Sequence, residues 1–234
     1  MKKGLIIAVD GPAGAGKSSS SRLLAERLGY RYIDTGALYR AVGLLAWERG
    51  VSPEDPDGLA ALCEGLMLRF VLRGEGLRLL LGERDVTTDI RKPEVSQMAS
   101  RVSAQPAVRQ RLLVLQRNLG KEGGVVMEGR DIGTIVFPDA DVKFYLDASP
   151  AERGRRRYAE LQEQGTPASL TMTAQEMAER DRRDSGREHA PLRQAADAVV
   201  IDTTTLPLAE VVHTMADYVR DRTSGDGRRE KQPS

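Results

Sequence analysis

Short apolar runs recur along the chain and alternate with amphipathic segments. Runs rich in aliphatic and β-branched residues predict buried strands at residues 4–10, 30–34, 124–127, 142–147 and 198–202. The sequence also predicts helices at residues 17–28, 93–104, 106–119 and 207–222, the last with apolar residues at helical spacing along one face. Strands that alternate with helices in this way are typical of an α/β fold with a parallel core sheet.

The pattern changes between residues 65 and 90. Two strand-like runs flank Gly74 and Gly76, and a third short run follows Gly82. Short strands separated by glycine turns predict a small antiparallel insert.

Two helix starts carry capping signals. Ser149, Pro150 and Glu152 combine an N-cap serine, a first-turn proline and the glutamate of a capping box. Thr173 and Glu176 have the same box spacing, which predicts a second helix start there.

Composition narrows the possible classes. A chain of 234 residues can bury one sizeable core with a smaller lobe. A net charge of +1 argues against a generally basic nucleic-acid binder, and the single cysteine, Cys63, predicts a core side chain rather than a disulfide or metal site. No stretch approaches the roughly 20 apolar residues of a membrane span, so we expect no membrane partner and a cytoplasmic location. The polar residues 224–234 predict a disordered tail.

A complete phosphate-loop motif follows the first predicted strand and precedes the first predicted helix. Its glycines let backbone N–H groups and a helix N-terminus face a polyphosphate, while Lys17 reaches the β- and γ-phosphates. Ser18 is the predicted Mg²⁺ ligand. The predicted nucleotide-binding residues are Gly11, Pro12, Ala13, Gly14, Ala15, Gly16, Lys17, Ser18 and Ser19.

Clustered arginines indicate what the bound nucleotide is used for. Thr35 and Arg40 open a helix after a strand, and residues 128–133 follow another strand, where ligands of α/β sheets bind. Helical spacing predicts one charged face from Arg180, Arg183, Asp184 and Arg187, and another from Arg153, Arg156 and Arg157. The polar residues 162–169 between those two faces predict a mobile cover that excludes water.

Three uses of a phosphate loop can be compared. A GTPase needs an Asn-Lys-x-Asp segment, which the sequence lacks, and a remodelling ATPase usually needs a longer chain. A small kinase needs cations around the acceptor and the transferring phosphoryl group, and the arginines supply them. Other acceptors, such as UMP, AMP or shikimate, and a regulatory nucleotide-binding module remain alternatives.

The segments GPAGAGKSS, YIDTGALYRAV, EGRDIGTIVFPDADVKFYLDAS and ERDRRDSGREHAPL, in this order, resemble bacterial cytidylate kinases over nearly the whole chain. The resemblance implies one P-loop kinase domain at residues 1–223, with an enlarged monophosphate-binding insert and a short lid. Its core is expected at residues 1–34, 106–150 and 188–223, the NMP-binding region at residues 35–105 and the lid at residues 151–187. ATP and Mg²⁺ are the implied cofactors, and CMP or dCMP is the implied acceptor.

The resemblance also implies roles for single residues. Thr35, Arg40 and Arg130 would grip the acceptor phosphate, and Ser100, Arg109 and Asp131 would read the cytosine edge. Arg180 and Asp184 would contact the ribose, with Arg187 near the acceptor. Lys17, Arg130 and the lid arginines Arg153, Arg156 and Arg157 would stabilise the transferring phosphoryl group.

Elementary chemistry accounts for the implied base preference. An arginine fork can donate to cytosine O2 and N3, and an aspartate can accept from the exocyclic amine. Uracil presents an acceptor at that place, so a carboxylate there loses its partner at a cost of roughly 1 to 3 kcal/mol. The sequence leaves open whether Asp34 or Glu128 supports Mg²⁺ and whether CMP or dCMP is preferred. It carries no oligomer signature, so we expect a monomer.

Overall fold

The computed structural model describes residues 4–73 and 76–226. The strands are β1 (Ile6–Asp10), β2 (Arg31–Asp34), β3 (Leu68–Arg73), β4 (Gly76–Leu81), β5 (Arg84–Asp85), β6 (Val125–Glu128), β7 (Val142–Asp147) and β8 (Val199–Asp202). The α-helices are α1 (Lys17–Leu28), α2 (Thr35–Glu48), α3 (Pro56–Glu64), α4 (Pro93–Val102), α5 (Pro106–Gly120), α6 (Pro150–Glu163), α7 (Leu170–Ser185) and α8 (Leu208–Asp226). A 3₁₀ turn (Asp89–Arg91) and a π-helical turn (Ile132–Val136) complete the elements.

The described chain forms two compact units. The parallel-sheet unit contains residues 4–33, 122–186 and 190–226. The insert unit contains residues 34–121 and the short segment 187–189. Each unit has its own hydrophobic core.

A five-stranded sheet with strand order β2-β6-β1-β7-β8 forms the centre of the parallel-sheet unit. Strand β1 lies in the middle, where Ala8 pairs with Met127 of β6 on one side and with Lys143 of β7 on the other. Ile7 and Val9 are fully buried, as expected for a strand that is covered on both faces. Helices α1 and α8 pack together and share this core. The predicted α/β fold with a parallel core sheet is therefore confirmed.

The insert unit combines helices α2 to α5 with a three-stranded antiparallel sheet in the order β3-β4-β5. Its core includes Leu38, Leu59, Ile90 and Leu112, all almost fully buried. Helices α2 and α4 pack so closely at Gly43 that a Cβ there would lie 2.9 Å from the backbone nitrogen of Ala99. The predicted antiparallel insert is confirmed, although Gly74 lies outside the described residues.

Most predicted elements agree with the structure to within a few residues, and the differences have local causes. The predicted helix start at Thr173 is wrong, because the Ser169 hydroxyl caps α7 by accepting from the N–H of Met172. The Ser149 cap of α6 is confirmed by its bond from the Glu152 N–H. Helix α8 continues through Asp226, and the rest of the predicted tail lies outside the described residues. Across the described residues, no helix is long and apolar enough to span a membrane.

Candidate active site

The phosphate loop lies between β1 and α1 in the parallel-sheet unit. Gly11 requires glycine, because a Cβ at its φ of 146° would lie 2.0 Å from the carbonyl oxygen of Leu146. Gly16 adopts the left-handed conformation at the N-cap of α1 and provides no side-chain cap. Gly16 therefore leaves the first N–H groups of α1 without a side-chain cap, an arrangement that suits an anion there.

Lys17 occupies the first turn of α1 and is buried. Its Nζ donates to the carbonyl oxygen of Pro12 at 2.5 Å. Burial is the main reason that its pKa falls to about 7, and the neighbouring charge of Arg130 lowers it further, whereas Glu128 opposes the change. A polyphosphate at the loop adds negative charge beside this amine, which favours the ammonium form.

The four serines that follow Lys17 differ in their exposure to solvent. Ser18 and Ser19 are exposed, whereas Ser20 and Ser21 are buried. No cluster of three or more His, Cys, Asp or Glu side chains suited to a metal occurs among the described residues. An exposed hydroxyl beside the loop fits Mg²⁺ that is held largely by nucleotide phosphates and water, which is the common mode for this ion.

Asp10, at the end of β1, anchors the turn that follows Asp131. Its two carboxylate oxygens accept from the N–H groups of Ile132 at 2.8 Å and Gly133 at 2.7 Å. Burial raises the pKa of Asp10 to about 6, against the lowering effect of these two bonds. Asp131 itself is buried. The anchoring role of Asp10 was not predicted, because strand periodicity gives no sign of a π-helical turn.

Arg130 and Asp184 form an ion pair in which Asp184 is buried and Arg130 is partly buried, with Nε of Arg130 2.9 Å from Oδ2 of Asp184. Burial alone would lower the pKa of Arg130, but the carboxylates of Asp184 and Glu128 raise it above its usual value. The structure therefore joins one predicted phosphate-binding residue to one predicted ribose-binding residue. Arg180 is half-buried on the same helix as Asp184.

The predicted charged face on α7 is wrong at Arg187. Helix α7 ends at Ser185, and Gly186 follows as its C-cap, so Arg187 lies beyond the helix and belongs to the insert unit. Arg183 is exposed and pairs with Glu179 along the helix surface. The glycine after the last helical turn was an available stop signal.

The three predicted lid arginines have different surroundings. Arg153 is buried, with Nη1 3.3 Å from the Ala13 carbonyl oxygen and 2.6 Å from Oδ2 of Asp181. Nη1 of Arg156 contacts the Gly14 carbonyl oxygen at 3.3 Å, and its Nη2 donates to the Thr203 carbonyl at 2.6 Å. The structure thus places both arginines against the phosphate loop.

Arg157 differs from the other two, because it pairs with Glu160 one turn along α6, at 2.7 Å. Glu128, a predicted candidate for Mg²⁺ support, is buried at the end of β6 and accepts a hydrogen bond from the hydroxyl of Tyr32. Tyr32 was not predicted to contact the site.

Asp34, the other candidate for Mg²⁺ support, makes its contacts within the insert unit. One oxygen caps α2 by accepting from the Ala37 N–H, and Oδ2 lies 2.6 Å from Arg40 and 3.0 Å from Arg91. Burial alone would raise the pKa of Asp34, but the two guanidinium groups and the cap hold it below its usual value. Thr35, the first residue of α2, is buried. Arg91 comes from the 3₁₀ turn, and no motif predicted its contact with Asp34.

The remaining predicted acceptor residues lie around the turn between α4 and α5. Ser100 and Arg109 are buried, and the Ser100 hydroxyl has no hydrogen-bond partner within the described part of the chain. Arg109 lies over the ring of Tyr39 at 5.6 Å and donates to the Ser103 carbonyl at 3.1 Å. Arg187 donates to the Ser103 hydroxyl at 2.8 Å. Neither Tyr39 nor Ser103 was predicted, because their importance comes from tertiary contacts.

Each of the two units contains some of the predicted site residues. The parallel-sheet unit holds the phosphate loop, Arg130, Asp131, Arg180, Asp184 and the three lid arginines. The insert unit holds Thr35, Arg40, Ser100, Arg109 and Arg187.

The parallel sheet, the glycine-rich loop and its buried lysine together define a P-loop nucleotide-binding protein. The Cytidylate kinase family profile matches residues 7–221. A cytidylate kinase from Geobacter sp. (strain M21) is 54% identical over 94% of this chain and 95% of its own length. A cytidylate kinase from Geobacter sulfurreducens is 53% identical over the same shares. The chain belongs to the cytidylate kinase family and is a kinase.

A solved structure of an uncharacterized protein from Eubacterium ventriosum ATCC 27560 superposes with a TM-score of 0.51 at 12% identity. The match covers 92% of this chain and 98% of that one. At this identity the likeness bears on the fold alone.

Proposed function

We propose that the protein transfers the γ-phosphoryl group of ATP to CMP or dCMP, giving ADP and CDP or dCDP. The observation that carries the acceptor half is the buried Ser100 hydroxyl, which lacks a protein partner among the described residues, in a unit where Arg109 and Arg187 meet at Ser103. A buried polar group without a partner is costly unless a ligand or water satisfies it. The relatives named cytidylate kinases support a cytidine nucleotide as that ligand.

On the donor side, the N–H groups at the start of α1 and the ammonium of Lys17 hold the ATP phosphates. Ser18, with its exposed hydroxyl, is the residue that would hold Mg²⁺. When bound, this ion offsets negative charge on the phosphate oxygens. Arg153, Arg156 and Arg157 belong to a lid at residues 151–187, which would exclude water and so limit ATP hydrolysis.

On the acceptor side, Thr35, Arg40 and Arg130 hold the phosphate of the monophosphate, whose attacking oxygen is already ionised near pH 7. No general base is therefore required, and transfer depends on positioning and charge. Ser100, Arg109 and Asp131 read the cytosine edge, and Arg180 and Asp184 contact the ribose, with Arg187 near the acceptor. Uracil would leave the Asp131 carboxylate badly paired, so UMP should be the poorer acceptor by about 1 to 3 kcal/mol.

The test is ADP production from ATP and Mg²⁺ with CMP, dCMP, UMP, AMP, GMP and shikimate offered separately, beside a control without acceptor. We expect ADP release with CMP and dCMP and little with the others. Activity centred on another acceptor would refute the base assignment and retain the kinase, whereas ATP binding without acceptor-dependent ADP release would favour a regulatory module. Light scattering on the same preparation tests the expected monomer.

A further inference from the structure

Ser103 occupies the turn that connects two helices of the insert unit. It is the C-cap residue of α4, and α5 begins three residues later at Pro106. Its side chain is buried, with 6% of the residue exposed. A buried serine at a helix end needs partners for its hydroxyl, and here those partners are informative.

The Ser103 hydroxyl makes two hydrogen bonds in opposite senses. It donates to the carbonyl oxygen of Ser100 at 2.9 Å and accepts from Nη2 of Arg187 at 2.8 Å. A hydroxyl has one donor and two acceptor positions, so both bonds can form at once. The Ser103 carbonyl meanwhile accepts from Nη1 of Arg109 at 3.1 Å. One residue therefore contacts three residues that the proposed function assigns to the acceptor.

The Arg187 contact joins parts of the chain that are distant in sequence. The two residues are 84 positions apart, and Arg187 belongs to a three-residue segment, 187–189, that joins the insert unit without a helix or strand of its own. Such a short segment depends on side-chain contacts for its placement. A bond between a charged donor and a buried acceptor is among the stronger contacts available for this purpose.

We propose that Ser103 is a positioning residue. It holds the Arg187 side chain in a fixed place relative to the base-reading residues Ser100 and Arg109. It acts through these residues on a nucleoside monophosphate acceptor, and in this respect the inference rests on the proposed function. Because the hydroxyl takes part in two of the three contacts, its removal should loosen Arg187 while leaving the carbonyl contact with Arg109 in place.

A double-mutant cycle tests this role. Ser103→Ala should lower kcat/KM for CMP by roughly tenfold, the usual effect of losing a hydrogen bond to a charged group, with KM for ATP unchanged. In an Arg187→Ala background, the same substitution should lower kcat/KM by less than about twofold, because the contact is already absent. Ser103→Thr, which keeps a hydroxyl, should recover much of the activity. Ser96→Ala is the matched control, because Ser96 lies on the same helix and its side chain makes no hydrogen bond to any described residue.

Independent, additive losses at Ser103 and Arg187, or an equal rise in KM for ATP, would overturn the proposal. Crystal structures of the wild type and Ser103→Ala without nucleotide give a second readout that does not depend on the acceptor. The Arg187 guanidinium should leave the α4–α5 turn in the variant while Arg109 stays on the Ser103 carbonyl, and an unmoved Arg187 would overturn the inference. If the wild type does not phosphorylate CMP, the proposed function fails, and these structures alone decide whether Ser103 positions Arg187.

Discussion

Nζ of Lys17 lies 2.5 Å from the carbonyl oxygen of Pro12, so the phosphate loop folds back on its own lysine. Burial and the charge of Arg130 lower the pKa of this amine to about 7. Near neutral pH, a substantial fraction of the free protein therefore carries a neutral Lys17. Bound phosphates stabilise the ammonium form, which links nucleotide binding to protonation.

We predict that ATP binding takes up a proton above pH 7. The phosphates of ATP are already largely ionised at pH 8, so the proton goes to Lys17, whose pKa rises on binding. Calorimetry at pH 8 in buffers of different ionisation enthalpy should show this uptake. The Kd for ATP should increase with pH, by up to about tenfold per unit, between the free and bound pKa values of Lys17.

Two variants isolate the lysine. Lys17→Arg keeps a permanent charge, and Lys17→Met has none, so both should bind ATP without the proton uptake. A wild-type binding enthalpy that does not change with the buffer would show that no proton is taken up. The same uptake in Lys17→Met would show that another group takes the proton.

The Arg130 to Asp184 pair yields a prediction about both activity and stability. Arg130→Ala should lower kcat/KM for CMP by about 10² or more, the usual loss for a group that stabilises transferring charge. It should also lower the free energy of unfolding by about 3 kcal/mol, because Asp184 is 1% exposed and loses a charged partner. Urea denaturation measures the second effect.

Removing the charges of both Arg130 and Asp184 separates the effect on activity from the effect on stability. In Arg130→Ala/Asp184→Asn, part of the lost stability should return while activity stays low, because the neutral amide is less costly to bury. Arg183→Ala is the control, because it breaks an exposed ion pair with Glu179 on α7, the helix that carries Asp184. It should change the free energy of unfolding by less than about 1 kcal/mol. A double variant no more stable than Arg130→Ala would contradict the account.

The accuracy of sequence-based prediction varied with the range of the interactions. Strands β1 and β6 were predictable because buried parallel strands are continuous apolar runs, and Lys17 was predictable because its motif is local. Ser103 and Arg91 were not, since each matters only through a contact made by tertiary folding. Arg187 shows an intermediate case, in which its role was proposed by resemblance while helical spacing placed it wrongly on α7.

Asp34 should make stability depend on pH through its contacts with Arg40 and Arg91. Its pKa in the folded protein lies below its usual value, so the carboxylate stabilises the fold above about pH 4. That stabilisation is lost as the pH falls through the folded pKa. Asp34→Asn should therefore be less stable than the wild type by about 1 to 2 kcal/mol at pH 7, with the difference shrinking toward pH 3. Urea denaturation across this range checks the trend, which a constant difference would refute.

Gly43→Ala tests whether close packing of α2 on α4 holds Ser100 in place. Alanine is favoured over glycine in a helix interior by about 1 kcal/mol, but the added Cβ would lie 2.9 Å from the backbone nitrogen of Ala99. A backbone atom cannot rotate away as a side chain can. The overpacking should therefore cost about 1 to 3 kcal/mol and outweigh the gain in helix propensity.

The expected result of Gly43→Ala is a lower melting temperature and a higher KM for CMP, because α4 must shift and Ser100 follows Ala99 directly. Gly65→Ala is the matched control, since its Cβ would meet nothing within 4 Å and its φ of −93° suits alanine. That variant should change stability by less than about 0.5 kcal/mol and leave KM unaltered. If Gly43→Ala were instead stabilised with an unchanged KM, helix propensity would outweigh the close approach, and α4 could shift without disturbing Ser100.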